Sequence, residues 1–270
     1  MGISSGKQWI KSTGWFVGFF FLFSSAIVTA ETVRLGPNNT SLKKEVNRSL
    51  DKGLDFLKKK QNPDGSWSNP DFPALTGLVL HGLLNSKKYA EMKKRPKFIQ
   101  KGLDFITKYA KQDGGIYHEA MPNYNTSICM MALISSKDPK YHPIIKKARN
   151  YLPTLQMDQG KKGKTDGKYD GGIGYGTKDH SDMSNTYIAL EALKMSEFLE
   201  VEKKAKGAKS LDWEAALQFI QRCQNLKPSN DQKWASNDPK NKGGFVYYPG
   251  SSKAGEEKLP DGKTALRSYL

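Results

Sequence analysis

A four-part pattern occurs four times in the same order, and it constrains the fold of this chain more than any other feature. Each copy has an apolar helical stretch, a glutamine, a glycine-rich turn with an aromatic residue, and a threonine before a second apolar stretch. The glutamines are Gln61, Gln112, Gln156 and Gln224. The turns contain Gly65 with Trp67, and then Tyr117, Tyr175 and Tyr247, while the threonines are Thr76, Thr126, Thr186 and Thr264. Repetition of this kind is typical of repeat architectures.

Each copy of the pattern predicts two helices. In the first helix, apolar residues recur at three- and four-residue spacing, as in Leu50, Leu54 and Leu57, so one face is expected to be exposed. The second helix is expected to begin at the threonine, a suitable N-cap, and it is apolar on nearly all sides, so it is expected to be buried. The sequence therefore predicts an all-α protein in which two layers of helical hairpins form a ring or an arc.

The first 30 residues have the layout of a signal peptide. Two lysines precede an apolar run over residues 15–28, and residues 28–30 (Val-Thr-Ala) supply the small residues that a signal peptidase recognises. We expect a signal peptide over 1–30, a leader segment over 31–45 and a repeat domain over 46–270. The expected location is secreted or periplasmic, and an uncleaved membrane anchor is the alternative.

The composition adds a basic charge and two cysteines. The 270 residues include 43 lysines and arginines against 27 aspartates and glutamates, a formal net charge of +16. Lysines on outward helix faces explain such an excess, and attraction to an anionic membrane or an acidic glycan is the alternative. Because no nucleic-acid motif is present, no nucleic-acid partner is expected. Cys129 and Cys223 lie in predicted helices of different repeats and are expected to be buried free thiols.

The first copy of the pattern is the most complete. It contains, in order, Lys52-Gly53, Phe56-Leu57, Gln61 and Gly65-Ser66-Trp67. This order resembles the glutamine–tryptophan repeat of triterpene cyclases, of which looser copies occur in protein prenyltransferase β subunits. The resemblance covers about residues 46–270 and implies an incomplete α/α toroid of about three and a half repeats, because Thr264 begins a fourth inner helix that is not completed. The glutamines and aromatic residues of the pattern are expected to join neighbouring outer helices.

The resemblance also locates a candidate for the chemistry. Cyclases of the squalene–hopene type have an Asp-x-Asp-Asp-Thr run whose middle aspartate protonates an alkene, and the similar run here is Asp182-Met183-Ser184-Asn185-Thr186. Ser184 replaces the acid, and a serine hydroxyl is far too weak an acid for that step. Protein prenyltransferases hold zinc with an Asp-x-Cys pair, which Asp182 and Ser184 do not reproduce. The resemblance therefore implies an apolar cavity for an isoprenoid or lipid-like ligand, a degraded acid motif, and no metal or cofactor.

Further candidate residues lie on the predicted inner helices. His81 and Glu191 follow the threonines of the first and third copies by five residues, where an acid and a base could face a central cavity beside Asp182. Satisfied interior polar groups are the alternative interpretation. The candidate ligand-binding residues are Tyr124, Tyr175 and Tyr187.

The sequence leaves the function class open. The protein is either a cyclase- or prenyltransferase-like enzyme or binding protein, a non-catalytic interaction scaffold, or a polysaccharide-acting helical toroid that the basic charge would suit. The stretch from Thr264 to Leu270 spans about two helical turns and has no polar cap. We therefore expect a truncated chain, a fragment, or a subunit completed by a partner chain or by self-association.

Overall fold

The computed structural model describes residues 39–176, 180–199 and 210–269. In these ranges the chain forms seven α-helices: α1 Thr40–Lys59, α2 Pro73–Asn85, α3 Lys97–Thr107, α4 Pro122–Ser135, α5 His142–Tyr151, α6 Met183–Met195 and α7 Trp213–Cys223. Two 3-10 turns, Pro139–Tyr141 and Leu152–Leu155, flank α5, and strands β1 Glu256–Lys258 and β2 Thr264–Leu266 pair antiparallel. The predicted all-α class is confirmed. The predicted signal peptide lies outside the described residues.

The helices form two layers. Helices α2, α4 and α6 lie side by side, while α3 packs against α2 and α4, α5 against α4, and α7 against α6. Helix α4 has neighbours on both sides, and eleven of its fourteen residues are buried. Helix α3, in contrast, buries one apolar face that includes Ile99, Leu103 and Ile106 while its lysines are exposed. The predicted division into buried inner helices and amphipathic outer helices is therefore confirmed. None of the helices in the described ranges is long and apolar enough to cross a membrane.

The repeat threonines are not N-caps, so that prediction is wrong. Each inner helix begins three or four residues earlier, at Pro73, Pro122 or Met183. Instead, Oγ1 of each of the first three threonines accepts a hydrogen bond of 2.9 Å from a backbone N–H of the glycine turn before it. The acceptor and donor residues are Thr76 with Trp67, Thr126 with Ile116, and Thr186 with Ile173. This contact, called the threonine latch below, ties the first turn of each inner helix to its glycine turn.

The latch also defines which residues of the glycine turns are equivalent, and this register differs from the sequence alignment. Trp67, Ile116 and Ile173 are the latch donors and are all buried. Tyr117 and Tyr175 therefore lie one and two residues after the position of Trp67, and Tyr247 lies two residues after it in the fourth turn. Gln112 is likewise displaced, because Ala110 takes the position of Gln61. The position of Trp67 requires a side chain that packs in the core between the turn and the inner helix. Isoleucine fills this position as well as tryptophan does, which explains why residue type does not reveal the register.

Three of the repeat glutamines have one role. The Nε2 groups of Gln61, Gln156 and Gln224 donate to the carbonyl of the first glycine of their own turns, at 2.9, 3.0 and 2.9 Å. Gln61 and Gln156 also donate at 2.8 Å to a carbonyl at the start of the next outer helix, Phe98 O and Asp212 O respectively. These two side chains join neighbouring outer helices.

The fourth copy differs from the prediction that Thr264 starts an inner helix. Thr264–Leu266 is strand β2, which pairs with Glu256–Lys258. Phe245 and Tyr269 also exchange two backbone hydrogen bonds of 3.2 and 2.7 Å. The backbone groups of Thr264–Leu266 thus find their hydrogen-bond partners in Glu256–Lys258 rather than within a helix.

Candidate functional site

The acid-like run of the third repeat forms the N-terminal turn of α6. Asp182 is buried and is the N-cap residue of this helix. Its Oδ1 accepts hydrogen bonds from the backbone N–H of Asn185 at 2.9 Å and from the Ser184 hydroxyl at 2.8 Å, and its Oδ2 accepts one from Asn185 Nδ2 at 2.8 Å. A carboxylate in this position satisfies helix N–H groups and complements the positive end of the helix dipole. Both oxygens of Asp182 are thus used by α6 itself.

Tyr247 reaches the same place from the fourth glycine turn. Its carbonyl accepts a hydrogen bond of 2.8 Å from the backbone N–H of Met183. Burial raises the pKa of Tyr247, and so do the nearby Asp182 carboxylate and hydrogen bonds with Tyr175 and Asp182. The phenol therefore stays protonated at neutral pH.

Tyr124 and Tyr175 extend this group. Their rings lie 6.3 Å apart with an interplanar angle of 48°, and burial raises the pKa of Tyr124. Because Tyr175 also contacts Tyr247, four side chains form one connected group, which we call the Asp182 cluster: Asp182, Tyr124, Tyr175 and Tyr247. The structure thus brings together three of the sequence candidates and adds Tyr247, which sequence analysis assigned to the repeat motif.

More aromatic rings continue outward from Tyr247. His180 and Tyr248 lie 6.2 and 5.4 Å from the Tyr247 ring, and Tyr169 lies 5.5 Å from Tyr248. Lys168 Nζ lies 4.7 Å above the Tyr169 ring, and Lys253 Nζ lies 4.8 Å above the Tyr247 ring. Sequence analysis did not identify these rings as a group. The adjacent tyrosines Tyr247 and Tyr248 are the sequence signal by which they could have been found.

The other two catalytic candidates lie elsewhere. His81 Nδ1 is 2.9 Å from Ser135 Oγ and 3.3 Å from Asn85 Nδ2, and Asn85 also donates to Ser135 Oγ at 3.0 Å. These contacts join the C-terminal ends of α2 and α4, whereas Asp182 lies at an N-terminal end. They match the interpretation of His81 as a satisfied polar group.

Glu191 pairs with Tyr187, one turn earlier on α6. Burial raises the pKa of Tyr187, and the charge of Glu191 and a hydrogen bond to it act in the same direction. The Tyr187 side chain is 54% exposed. The structure therefore does not bring Glu191 and His81 together as an acid and a base.

The remaining reactive groups, the two cysteine thiols, are buried. Cys129 and Cys223 are buried free thiols, as predicted. Burial raises the pKa of both, and for Cys223 the nearby Asp182 charge adds to it. No group of three metal-ligating side chains is found within the described ranges. Among the buried polar atoms of that part of the chain, Asn185 Oδ1 has no hydrogen-bond partner and lies next to Asp182.

Two surface clefts lie away from the Asp182 cluster. A cleft of about 120 Å³ is lined by Ala110, Lys111, Gly114, Pro143, Ile144 and Lys147. A second cleft, of about 180 Å³, is lined by Gln156, Met157, Asp158, Gly163, Lys164, Thr165, Asp170, Gly171, Ser210, Asp212 and Ala215. Both lie at glycine turns between successive outer helices.

Comparison with known proteins identifies one family. The family model described as squalene-hopene cyclase C-terminal domain matches residues 69–219, which extend from just before α2 into α7 and make up more than half of the chain. Lanosterol synthase erg7A of Aspergillus fumigatus is 24% identical over 130 residues. That match covers 43% of this chain and 17% of the lanosterol synthase, so the chain spans a small part of the relative's length.

Proposed function

The chain belongs to the squalene-hopene cyclase C-terminal domain family, and from this premise we propose that it binds an isoprenoid or similar lipid without starting a proton-driven cyclisation. The observation that supports the second half of this proposal is Ser184. Protonating an alkene needs a carboxylic acid that holds a transferable proton. The Ser184 hydroxyl instead donates its proton in a hydrogen bond to Asp182 Oδ1.

The arrangement around Asp182 supports the same conclusion. Its carboxylate oxygens accept three hydrogen bonds from Ser184 and Asn185, so it acts as the N-cap of α6. Asn185 takes the position next to the missing acid, and an amide does not supply a proton to carbon. The remaining role of residues 182–186 is to cap the N-terminus of the inner helix α6.

The tyrosines of the Asp182 cluster support an isoprenoid ligand. Tyr124, Tyr175 and Tyr247 are half-buried, so part of each ring is in contact with solvent. Aromatic rings provide large apolar faces with a polar tip, which suit a polyene chain that carries a single hydroxyl or epoxide oxygen.

The test separates binding from turnover. Purified protein is incubated with radiolabelled squalene or its 2,3-epoxide in detergent micelles, and bound ligand and extracted products are measured by equilibrium gel filtration and gas chromatography–mass spectrometry. We expect saturable binding and no cyclic product. The Tyr124→Ala variant should bind less, whereas Tyr117→Ala, a half-buried tyrosine outside the cluster, should bind as the unmodified protein does. A cyclic product would overturn the non-catalytic part, and absent saturable binding would overturn the ligand class.

A second candidate function is binding of an acidic polysaccharide. The specific observation in its favour is the group of rings around Tyr248. Lys168 lies over the rings of Tyr169 and Tyr248, and Lys253 lies over the ring of Tyr247. Rings stack on sugars, and lysines pair with uronate or sulfate groups. Affinity electrophoresis through gels with alginate or with neutral glucan tests it. Retardation by alginate that Lys168→Gln abolishes would favour this function.

We further propose that the protein is exported. The layout of residues 1–30 supports this proposal. N-terminal sequencing of protein collected outside the cytoplasm is expected to begin at Glu31, and an intact Met1 on correctly located protein would contradict cleavage.

A further inference from the structure

Helix α1 carries apolar side chains that nothing covers in the described part of the chain. It precedes the residues 69–219 that match the family, and none of its residues is buried. The exposed fractions are 39% for Leu42, 43% for Val46 and 52% for Leu50. Side chains at four-residue spacing share one helix face. We call these three residues the α1 apolar stripe.

The remainder of α1 is basic. Its six cationic and three anionic side chains are Lys43, Lys44, Arg48, Lys52, Lys58 and Lys59, against Glu45, Asp51 and Asp55. Helix α1 is therefore a basic amphipathic helix, with the α1 apolar stripe on one face and mainly cationic side chains on the rest of its surface. Such helices lie in the plane of a membrane interface, with the apolar face at the acyl boundary and the cations at the head groups.

The body of the protein holds the other end of α1. Trp67 Nε1 donates to Leu57 O at 2.7 Å, and Lys88 Nζ forms an ion pair with Asp55 at 2.8 Å. Gln61, just after the helix, donates to Phe98 O at 2.8 Å. The C-terminal half of α1 is therefore attached to the repeat domain, and the N-terminal half presents the stripe.

We propose that the α1 apolar stripe docks on an anionic lipid surface. The helix lies flat, Leu42, Val46 and Leu50 insert at the acyl boundary, and the cationic side chains contact lipid phosphates. Charge selects lipid over a second copy of the chain as the occupant. Two copies that each carry a net +16 repel one another, whereas an anionic leaflet attracts both α1 and the rest of the molecule.

The experiment places a spin label on the stripe of the chain that begins at Glu31, the N-terminus expected after export. The Val46→Cys variant is labelled with a nitroxide, and because Cys129 and Cys223 are buried the label goes to the introduced thiol. Its accessibility to oxygen and to a water-soluble nickel complex is measured with phosphatidylglycerol and with phosphatidylcholine vesicles. We expect phosphatidylglycerol to raise the accessibility to oxygen and lower that to nickel. A label introduced by Leu217→Cys, on the 49% exposed α7 residue, should not respond.

Two sets of variants test the two halves of the proposal. Because each basic residue near an anionic surface contributes about 1 kcal/mol, the Lys43→Gln/Lys44→Gln/Arg48→Gln variant should bind phosphatidylglycerol vesicles roughly 100-fold more weakly. The Leu42→Ser/Leu50→Ser variant should lose about tenfold or more. The variants and the unmodified protein all begin at Glu31, so the apolar run over residues 15–28 does not add vesicle binding of its own.

Two results would overturn the proposal. One is a label at position 46 that responds equally to both vesicles or to neither. The other is a label that is already shielded from both reagents without lipid in a protein that light scattering finds to be dimeric, because a second copy would then cover the stripe.

Discussion

The third and fourth glycine turns have the same sequence pattern but different supports. In the third turn, Ile173 N–H donates to the threonine latch at Thr186, and Thr186 also donates back to the Ile173 carbonyl at 3.1 Å. In the fourth turn, the corresponding Phe245 pairs through its backbone with Tyr269. The latch thus accompanies an inner helix and is replaced by strand pairing where the described chain has no such helix.

The two turns also differ in how closely the next element approaches. A Cβ atom added to Gly171 would lie 2.0 Å from the carbonyl oxygen of Ala215 on α7. One added to Gly243 would meet nothing within 4 Å, although both glycines have positive φ, +81° and +85°. The sequence pattern therefore encodes the turn itself, whereas the following outer helix determines how much the turn contributes to stability.

Alanine substitutions at Gly171 and Gly243 should show the difference between the two turns most strongly. Gly171→Ala combines left-handed backbone strain with overlap against the α7 backbone, so we expect a loss of ~4 kcal/mol in the free energy of unfolding. Gly243→Ala should lose ~1 kcal/mol from strain alone. Urea unfolding followed by circular dichroism measures both. Equal losses would show that the approach of α7 does not matter.

Removing the glutamine amides should have the next largest effect. Gln156 donates to Gly171 O and Asp212 O, and its Oε1 accepts from Asp212 N–H at 2.8 Å, so it joins the third turn to α7. Gln156→Met leaves those backbone groups unsatisfied and should cost ~3 kcal/mol. Gln224, with its bond to Gly243 O, serves as the matched position, and Gln224→Met should cost ~1 kcal/mol. A reversed order in urea midpoints would contradict this ranking.

The latch itself can be tested with valine, which has the shape of threonine without its hydroxyl. Thr186 is fully buried, and Thr186→Val removes the acceptor of a buried N–H, so a loss of ~2 kcal/mol is expected. Thr264 is exposed in β2 and lacks a latch partner in the described chain, so Thr264→Val should change stability by less than ~0.5 kcal/mol. Hydrogen exchange at Ile173 N–H provides a local measurement, and unchanged protection in Thr186→Val would refute the latch.

Hydrophobic periodicity and the repeated pattern were sufficient to predict the helix pairs, the two layers and the buried thiols. They could not predict the latch register, because Ile116 and Trp67 are equivalent through a hydrogen bond rather than through residue type. Strand β2 was missed because the preference of Thr264–Leu266 depends on a pairing partner, Glu256–Lys258, that local propensity does not reveal.

The candidate site was predicted in part for a similar reason. Asp182 was identified from its own run, but its contact with Tyr247 joins residues 65 positions apart, and no local pattern reports such a contact. His81 and Glu191 occupy equivalent repeat positions, yet His81 contacts Ser135 on α4, whereas Glu191 pairs with Tyr187 on its own helix. Equivalent positions in a repeat share a backbone environment, while the side chains they meet depend on the neighbouring repeats.

The smallest expected effect on the free energy of unfolding comes from a pH-dependent ion pair between Arg222 and Asp231. Arg222, which is buried at the end of α7, donates to both oxygens of Asp231 at 2.9 and 2.7 Å and also to Gly167 O beside the third turn. The hydrogen bond from Arg222 is the main cause that lowers the pKa of Asp231. A carboxyl with a lowered pKa stabilises the fold above its unfolded pKa of about 3.9, and this contribution is lost as pH falls through the folded value.

Because the Asp231 side chain is 52% exposed, solvent screens the pair and its contribution should be less than ~1 kcal/mol. We therefore expect urea midpoints to fall between pH 6 and pH 3 by a slightly larger amount in the unmodified protein than in Asp231→Asn. Asp51→Asn, at an exposed position of α1 away from this ion pair, is the control and should fall as the unmodified protein does. If Asp231→Asn retains the full pH dependence, the ion pair between Arg222 and Asp231 does not account for it, and Arg222 contributes through its hydrogen bond to Gly167 O.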